Sequence, residues 1–244
     1  MNSWQQYRDD LALVHDLGFG FHAERCRNGI LTLLEPVRRA GGVVLELGCG
    51  SGALTRYLVD AGHRVIATDA SPAMLERCRA NLGDSAEIRR IVLPDDPLPE
   101  ADAIVSVGHV LSYLPDEDSI NRALTAAAGA LRPGGVLAID LCDLRYGDAA
   151  RVGSPVARLT EDWAIISPIS LASPTRLVRN ITTFVRDGVG VWRRSDEQHV
   201  NVLVDASRFS ALLAGHGLDV SVGASFGDEI LPEGLVTLVG TRHR

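Results

Sequence analysis

Val44-Leu-Glu-Leu-Gly-Cys-Gly-Ser-Gly-Ala-Leu-Thr55 decides how this chain folds. An apolar strand breaks into a loop in which Gly48, Gly50 and Gly52 alternate, and the loop opens a helix. Glycines at that spacing let the backbone turn sharply and let a ligand approach bare main chain. Main-chain N–H groups beside a helix N-terminus also favour negative charge. Downstream, the apolar run Arg64-Val-Ile-Ala-Thr ends in Asp69. An acid at the tip of the neighbouring strand is placed to accept hydrogen bonds from ribose hydroxyls, which predicts a nucleoside-bearing cofactor across the strand ends. A helix N-cap is the alternative role for Asp69.

The glycine loop alone leaves the cofactor open, because Gly48-x-Gly50-x-x-Ala53 satisfies the loose dinucleotide fingerprint. Three details point away from a nicotinamide. Glu46 stands on the strand two residues before the first glycine, Gly52 comes one residue early for that fingerprint, and Leu131-Arg-Pro-Gly-Gly-Val-Leu-Ala-Ile-Asp140 adds a helix end, a turn and a strand.

With these motifs in this order, the chain resembles the class I S-adenosylmethionine-dependent methyltransferases. Glu46 through Gly52 is similar to their Glu/Asp-x-Gly-x-Gly-x-Gly loop, Asp69 to their ribose acid, and Leu131 to Gly135 to the turn before strand five. The resemblance implies a Rossmann-like, doubly wound α/β sheet of order 3-2-1-4-5-7-6 with strand seven antiparallel. It also implies S-adenosyl-L-methionine as cofactor and S-adenosyl-L-homocysteine as product. Glu46 would meet the ligand amino group or brace the loop. Cys49 and Gly108 would border the cofactor, and Ala70 and Met74 would lie against adenine, with core filling as the other role for Met74. The Gly-Asp that many relatives carry near the end of strand three is missing from Ile91-Val-Leu-Pro-Asp-Asp96, so backbone at Leu93 or the side chain of Asp95 takes its place. Arg25 pairs with the methionine carboxylate or belongs to a solvated helix face.

Composition sets the outer limits. A chain of 244 residues, 46% hydrophobic and 23% charged, fits one soluble α/β domain with a real core. A net charge of −7 gives no footprint for nucleic acid. Cys26, Cys49, Cys78 and Cys142 show no CxxC spacing and fit reduced thiols in a cytoplasm. No apolar run reaches the ~18 residues of a membrane span, and no His/Asp/Glu cluster has recognised metal-ligand spacing.

The periodicities divide the chain into a helical lid over residues 1–40, a core over 42–143 and 205–244, and an antiparallel β insertion over 144–204. Helices are expected from Trp4 to Arg39 with a break at Gly18-Phe-Gly20, then after Gly52, after Ser71-Pro72, from Asp116 to Leu131, and from Ser207 to His216. Three strand-like runs, Trp163 to Ser170, Leu177 to Val185 and Gly190 to Val204, make up the insertion, with a hairpin signal at Asp187-Gly188.

Methyl transfer from a sulfonium is an in-line displacement on an activated carbon, so the protein mainly positions the acceptor and excludes water. His109, in Gly108-His-Val-Leu-Ser-Tyr-Leu114 after strand four, is the first candidate for touching acceptor or donor, against a histidine bonded within its own loop. Tyr7, His15, Phe19, Phe21 and His22 concentrate aromatic and imidazole groups near the N-terminus of a chain only 5% aromatic, which suits a lid or packing onto the sheet. Trp192, Glu197 and His199 lie on an inserted strand, where Glu197 and His199 share a face and either polarise an acceptor or form a structural pair. The helical N-terminus and the insertion are similar to small-molecule methyltransferases of the sugar amine and glycine types. The expectation is therefore N- or O-methylation of a small molecule by a monomer or homodimer. The alternatives are tRNA or protein methylation, or a binding protein without catalysis.

Overall fold

A computed structural model describes residues 6–152 and 155–244. Two helices, α1 (Asp9–Gly18) and α2 (Phe21–Arg39), precede the first strand; the expected start at Trp4 lies outside the described residues. Next come β1 (Val43–Leu47), α3 (Ala53–Asp60), β2 (Arg64–Asp69), α4 (Pro72–Leu82), β3 (Glu87–Arg90), β4 (Ala101–Ser106), α5 (Glu117–Ala130) and β5 (Leu131–Cys142). Local chemistry sets the helix starts. Ser71 caps α4 by accepting the Met74 N–H, with Pro72 at the first helical position, and Asp116 caps α5 through the Ser119 N–H.

After β5 the chain forms α6 (Leu144–Val152) and five strands, β6 (Val156–Leu159), β7 (Trp163–Ser167), β8 (Ile169–Ser173), β9 (Arg176–Arg186) and β10 (Trp192–Val202). It closes with α7 (Phe209–Ala214), β11 (Leu218–Gly223) and β12 (Leu235–Arg242). The main sheet has seven strands in the order β11-β12-β5-β4-β1-β2-β3. β12 runs antiparallel to both β5 and β11, and the remaining pairs are parallel. This is the expected winding with its reversed last strand.

Both faces of the sheet are covered, so alternate residues of the central strands enter two different cores. Leu45, Leu47, Ile104, Leu137 and Ile139 join α5 and α7, whereas Val44, Val105, Val136 and Ala138 join Ile30 and Leu34 of α2. Burial on both sides explains why these strands read as continuous apolar runs. Carboxylates break those runs at Glu46 and Asp140, which are buried on the α2 side with only 2% and 0% of their surface exposed.

The antiparallel excursion is present, with a finer pattern than three runs. Pro168 divides the first run into β7 and β8, which pair in turn with the two halves of β9, while β10 pairs with β9 along its whole length. The helix α6 and the short exposed strand β6 were not expected between 144 and 160, because their sequence has no clean period. α1 packs its Leu11 and Val14 against Trp163, Ile165 and Ile181 of this second sheet. The N-terminal helix is thereby fixed to the insertion, above the ends of the main-sheet strands.

Candidate active site

The glycine loop joins β1 to α3 at the carboxyl edge of the sheet. Gly48, Gly50 and Gly52 all have positive φ, of 74°, 55° and 90°. A side chain at Gly48 would collide with Val110, and one at Gly52 with Leu82 and Cys78, so two of the three glycines are required by close packing. The loop is closed onto β2: Cys49 N–H donates to the Thr68 carbonyl (2.8 Å), Gly50 N–H to Asp69 Oδ2 (2.9 Å), and Gly52 N–H to the Cys49 carbonyl (2.9 Å). The expectation that these amides serve a ligand is corrected here, since three of them are already donated within the protein. Asp69 Oδ1 accepts a second amide, from Ser71 (2.8 Å). Burial raises the Asp69 carboxyl above its usual range, and the backbone donors oppose that shift.

Two adjoining cavities open from this edge. The smaller, of about 150 Å³, is bounded by Gly48, Gly50, Asp69, Ala70, Met74, Leu93 and Gly108, with Tyr7 and His15 at its far side. An acid together with the apolar walls of Met74, Ile91 and Leu93 suits a ribose and a flat base. Asp95 does not border it and instead pairs with Arg122 at the surface (3.0 Å).

The larger cavity, of about 290 Å³, shares Gly48, Gly50, Gly108, Tyr7, His15 and Tyr113 with the first. It adds Glu46, Cys49, Phe19, Phe21, His22, His109, Tyr146 and Arg179. Glu46 takes a hydrogen bond from the Thr55 hydroxyl (2.7 Å), and its carboxyl is raised to about 7 by burial, with Asp69 adding to the effect. No cation pairs with it among the described residues. A buried acid without a cation beside it is costly in its ionised form.

His109 sits just past β4 in left-handed backbone (φ 48°), a conformation rare outside glycine. Asp140 at the end of β5 holds it there, accepting N–H groups from His109 (2.6 Å) and Gly108 (3.0 Å) and the Nε2 of His22 (2.8 Å). The His109 ring stacks on Tyr113 with centroids 5.7 Å apart. Burial lowers its pKa to about 3, so the imidazole is neutral. Three buried polar atoms around this cavity have no protein partner: His109 Nδ1, His15 Nδ1 and Arg179 Nε. Idle donors and acceptors on a cavity wall call for a polar ligand.

Of the residues singled out from the sequence, Gly52, Arg25, Trp192, Glu197 and His199 border neither cavity. Gly52 serves packing. Arg25 is solvent-exposed on α2, and Trp192 is 44% exposed near the turn end of β10. Glu197 and His199 do share a face and bond to each other (2.9 Å), but they act as a brace. Glu197 accepts the amides of Tyr7 (2.8 Å) and Arg8 (2.9 Å), and His199 packs its ring against Tyr7 and Tyr113. The Ser71 hydroxyl donates to the Tyr7 carbonyl (2.8 Å), tying the same segment to the Asp69 corner.

Asp140, Tyr113 and Arg179 were not anticipated as site residues. Asp140 carried a signal, since an acid ending a buried apolar strand repeats the pattern of Glu46 and Asp69. Arg179 carried none, being one of many arginines on an alternating strand.

Residues 44–135 match the methyltransferase domain family. A trans-aconitate 2-methyltransferase of Methylobacterium radiotolerans is 36% identical over 159 residues, covering 62% of this chain and 55% of that protein. The chain spans 45% and 65% of the length of two other curated relatives it matches. Among solved structures, an S-adenosylmethionine-dependent methyltransferase of Clostridium acetobutylicum superposes with a TM-score of 0.76 at 18% identity, covering 96% of this chain and 98% of that one. The sugar N-methyltransferase KedS8 of a Streptoalloteichus species gives a TM-score of 0.73 at 22% identity, covering 98% and 94%. At such identities the likeness concerns the fold.

Proposed function

We propose that this chain, a class I S-adenosylmethionine-dependent methyltransferase in its domain and its fold, transfers a methyl group to a nitrogen or oxygen of a small molecule. The observation that carries the reading is the convergence of the glycine loop and Asp69 on one cavity that continues into a roofed chamber containing His109.

S-adenosylmethionine is the cofactor, and when bound it supplies a methyl carbon already activated by its sulfonium. Asp69 would accept the ribose hydroxyls, with Ala70, Met74 and Leu93 against the adenine. Glu46 would meet the amino group of the methionine portion. Residues 6–39 and 156–202 roof the larger cavity and keep water from it, and orientation within that space provides most of the rate. His109, neutral and with an idle Nδ1, would hydrogen-bond the acceptor's reacting group and orient it toward the methyl carbon, being too weak a base at a pKa of about 3 to carry its proton away. A chamber of about 290 Å³ beneath a roof favours a compact acceptor over tRNA or a folded protein, and the reading extends to a cytoplasmic enzyme acting alone or as a homodimer.

Calorimetric titration with S-adenosylhomocysteine, NAD and NADP tests the reading. Binding of the first alone is expected, and stabilisation by NADP alone overturns it. Turnover is then read as S-adenosylhomocysteine released across a library of amines, alcohols and acids.

A further inference from the structure

Arg179 projects from β9 into the larger cavity, where its guanidinium lies over the Tyr113 ring at 5.4 Å from the centroid and donates to the Tyr113 hydroxyl. Among the described residues no carboxylate lies within ion-pair distance of it, and its Nε is buried without an acceptor. Arg193 pairs with Asp10 and Arg8 with Glu197 (3.7 Å), and the solvent-exposed Arg158 and Arg176 donate to the carbonyls of Gly18 and Pro115, whereas Arg179 faces the chamber.

The groups facing Arg179 are Tyr7, Tyr113, Tyr146, His15, His109 and His199. Burial keeps the three histidines neutral, pushing His15 to about 4 and His109 to about 3 and lowering His199. Burial likewise holds Tyr7 and Tyr146 in their protonated forms. Arg179 is thus a permanent cation on the chamber wall, and among the described residues no carboxylate lies within ion-pair distance of it. A half-buried guanidinium whose Nε is shut off from water gains from a partner of opposite sign, and a planar fork with a free N–H edge fits a carboxylate in two parallel hydrogen bonds.

We infer that Arg179 anchors the methyl acceptor and that the acceptor is a small carboxylic acid, bound through its carboxylate. The inference rests on the methyl-transfer reading above. Two features assign the guanidinium to the acceptor instead of the cofactor's own carboxylate. Arg179 stands on the inserted sheet, facing the main-sheet edge that carries Glu46 and the glycine loop, and the groups packed around it are Tyr113, His109 and His199. Among the described residues it makes no hydrogen bond to that loop.

The test titrates the full chain, saturated with S-adenosylhomocysteine, with acetate, succinate, citrate and benzoate, using their neutral esters as controls. Acids are expected to bind and esters not, with affinity falling as ionic strength rises. Arg179→Gln should lose at least tenfold in acid affinity, Arg179→Lys should regain part of it, and both should keep S-adenosylhomocysteine affinity within about twofold. In turnover with any acid that proves to be an acceptor, Arg179→Lys should raise KM more than it lowers kcat. Acid binding unchanged in Arg179→Gln, equal binding of esters, or no acid binding at all overturns the proposal. Loss of S-adenosylhomocysteine affinity in Arg179→Gln overturns it in favour of the cofactor carboxylate. If Arg179→Gln fails to fold, the acid-against-ester comparison and its salt dependence in the unaltered protein decide. Failure of the methyl-transfer reading shows separately, as absence of S-adenosylhomocysteine binding before any acid is added.

Discussion

Glu46 is a buried acid waiting for a cation, and its titration makes that measurable. Its folded-state pKa of about 7 lies above the ordinary value of 4.5. Between those values the folded protein holds a proton the unfolded chain has released, so stability falls as pH rises from about 4.5 to 7. Burial at this site costs on the order of 3 kcal/mol at pH 8, and Glu46→Gln should recover part of it, seen as a higher Tm at pH 8 and little change at pH 4.5. An ammonium ligand favours the ionised form. Cofactor affinity should therefore weaken as pH drops below 7 in the unaltered protein, with proton release detectable by calorimetry in buffers of different ionisation enthalpy, and Glu46→Gln should flatten that dependence. Asp69→Ala should cost about 10- to 100-fold in S-adenosylhomocysteine affinity, since it removes the proposed ribose acceptor and also the Gly50 amide's partner. His109→Ala should lower kcat by about 100-fold with cofactor affinity preserved, and full activity would remove the imidazole from the chemistry.

At the scale of elements, the segment before α1 is secured by a few long-range bonds. Tyr7 takes left-handed backbone (φ 56°), its amide donating to Glu197 and its carbonyl accepting from Ser71. Glu197→Ala should release that segment without unfolding the sheet, giving faster amide exchange or proteolysis over residues 7–20 and a higher KM. The parallel core was legible in the sequence because its strands are buried on both faces and its helices are amphipathic or capped, as at Ser71-Pro72 and Asp116. The insertion was legible as antiparallel but not in its pairing, since Pro168 interrupts a run whose two halves keep the same partner strand. In the site, Glu46, Asp69 and the glycines announced themselves as polar or small residues in apolar surroundings. Arg179, Tyr113 and the bracing role of Glu197 depend on contacts across 66 to 190 positions of sequence, which no local pattern encodes.

Taken whole, the molecule sets its larger cavity between two sheets, and a ligand bound there should stabilise it globally. At about 100 times its Kd, S-adenosylhomocysteine should add about 2.7 kcal/mol. For a chain this long that raises Tm by about 5–10 °C in a thermal melt. The Tyr7 segment walls both cavities at once, so on the methyl-transfer reading a single gate would serve two tenants. Departure of spent cofactor past it should then set the tempo of each cycle. The first turnover should outrun those that follow, and thickening the solvent with sucrose should slow the steady state while leaving that initial burst untouched.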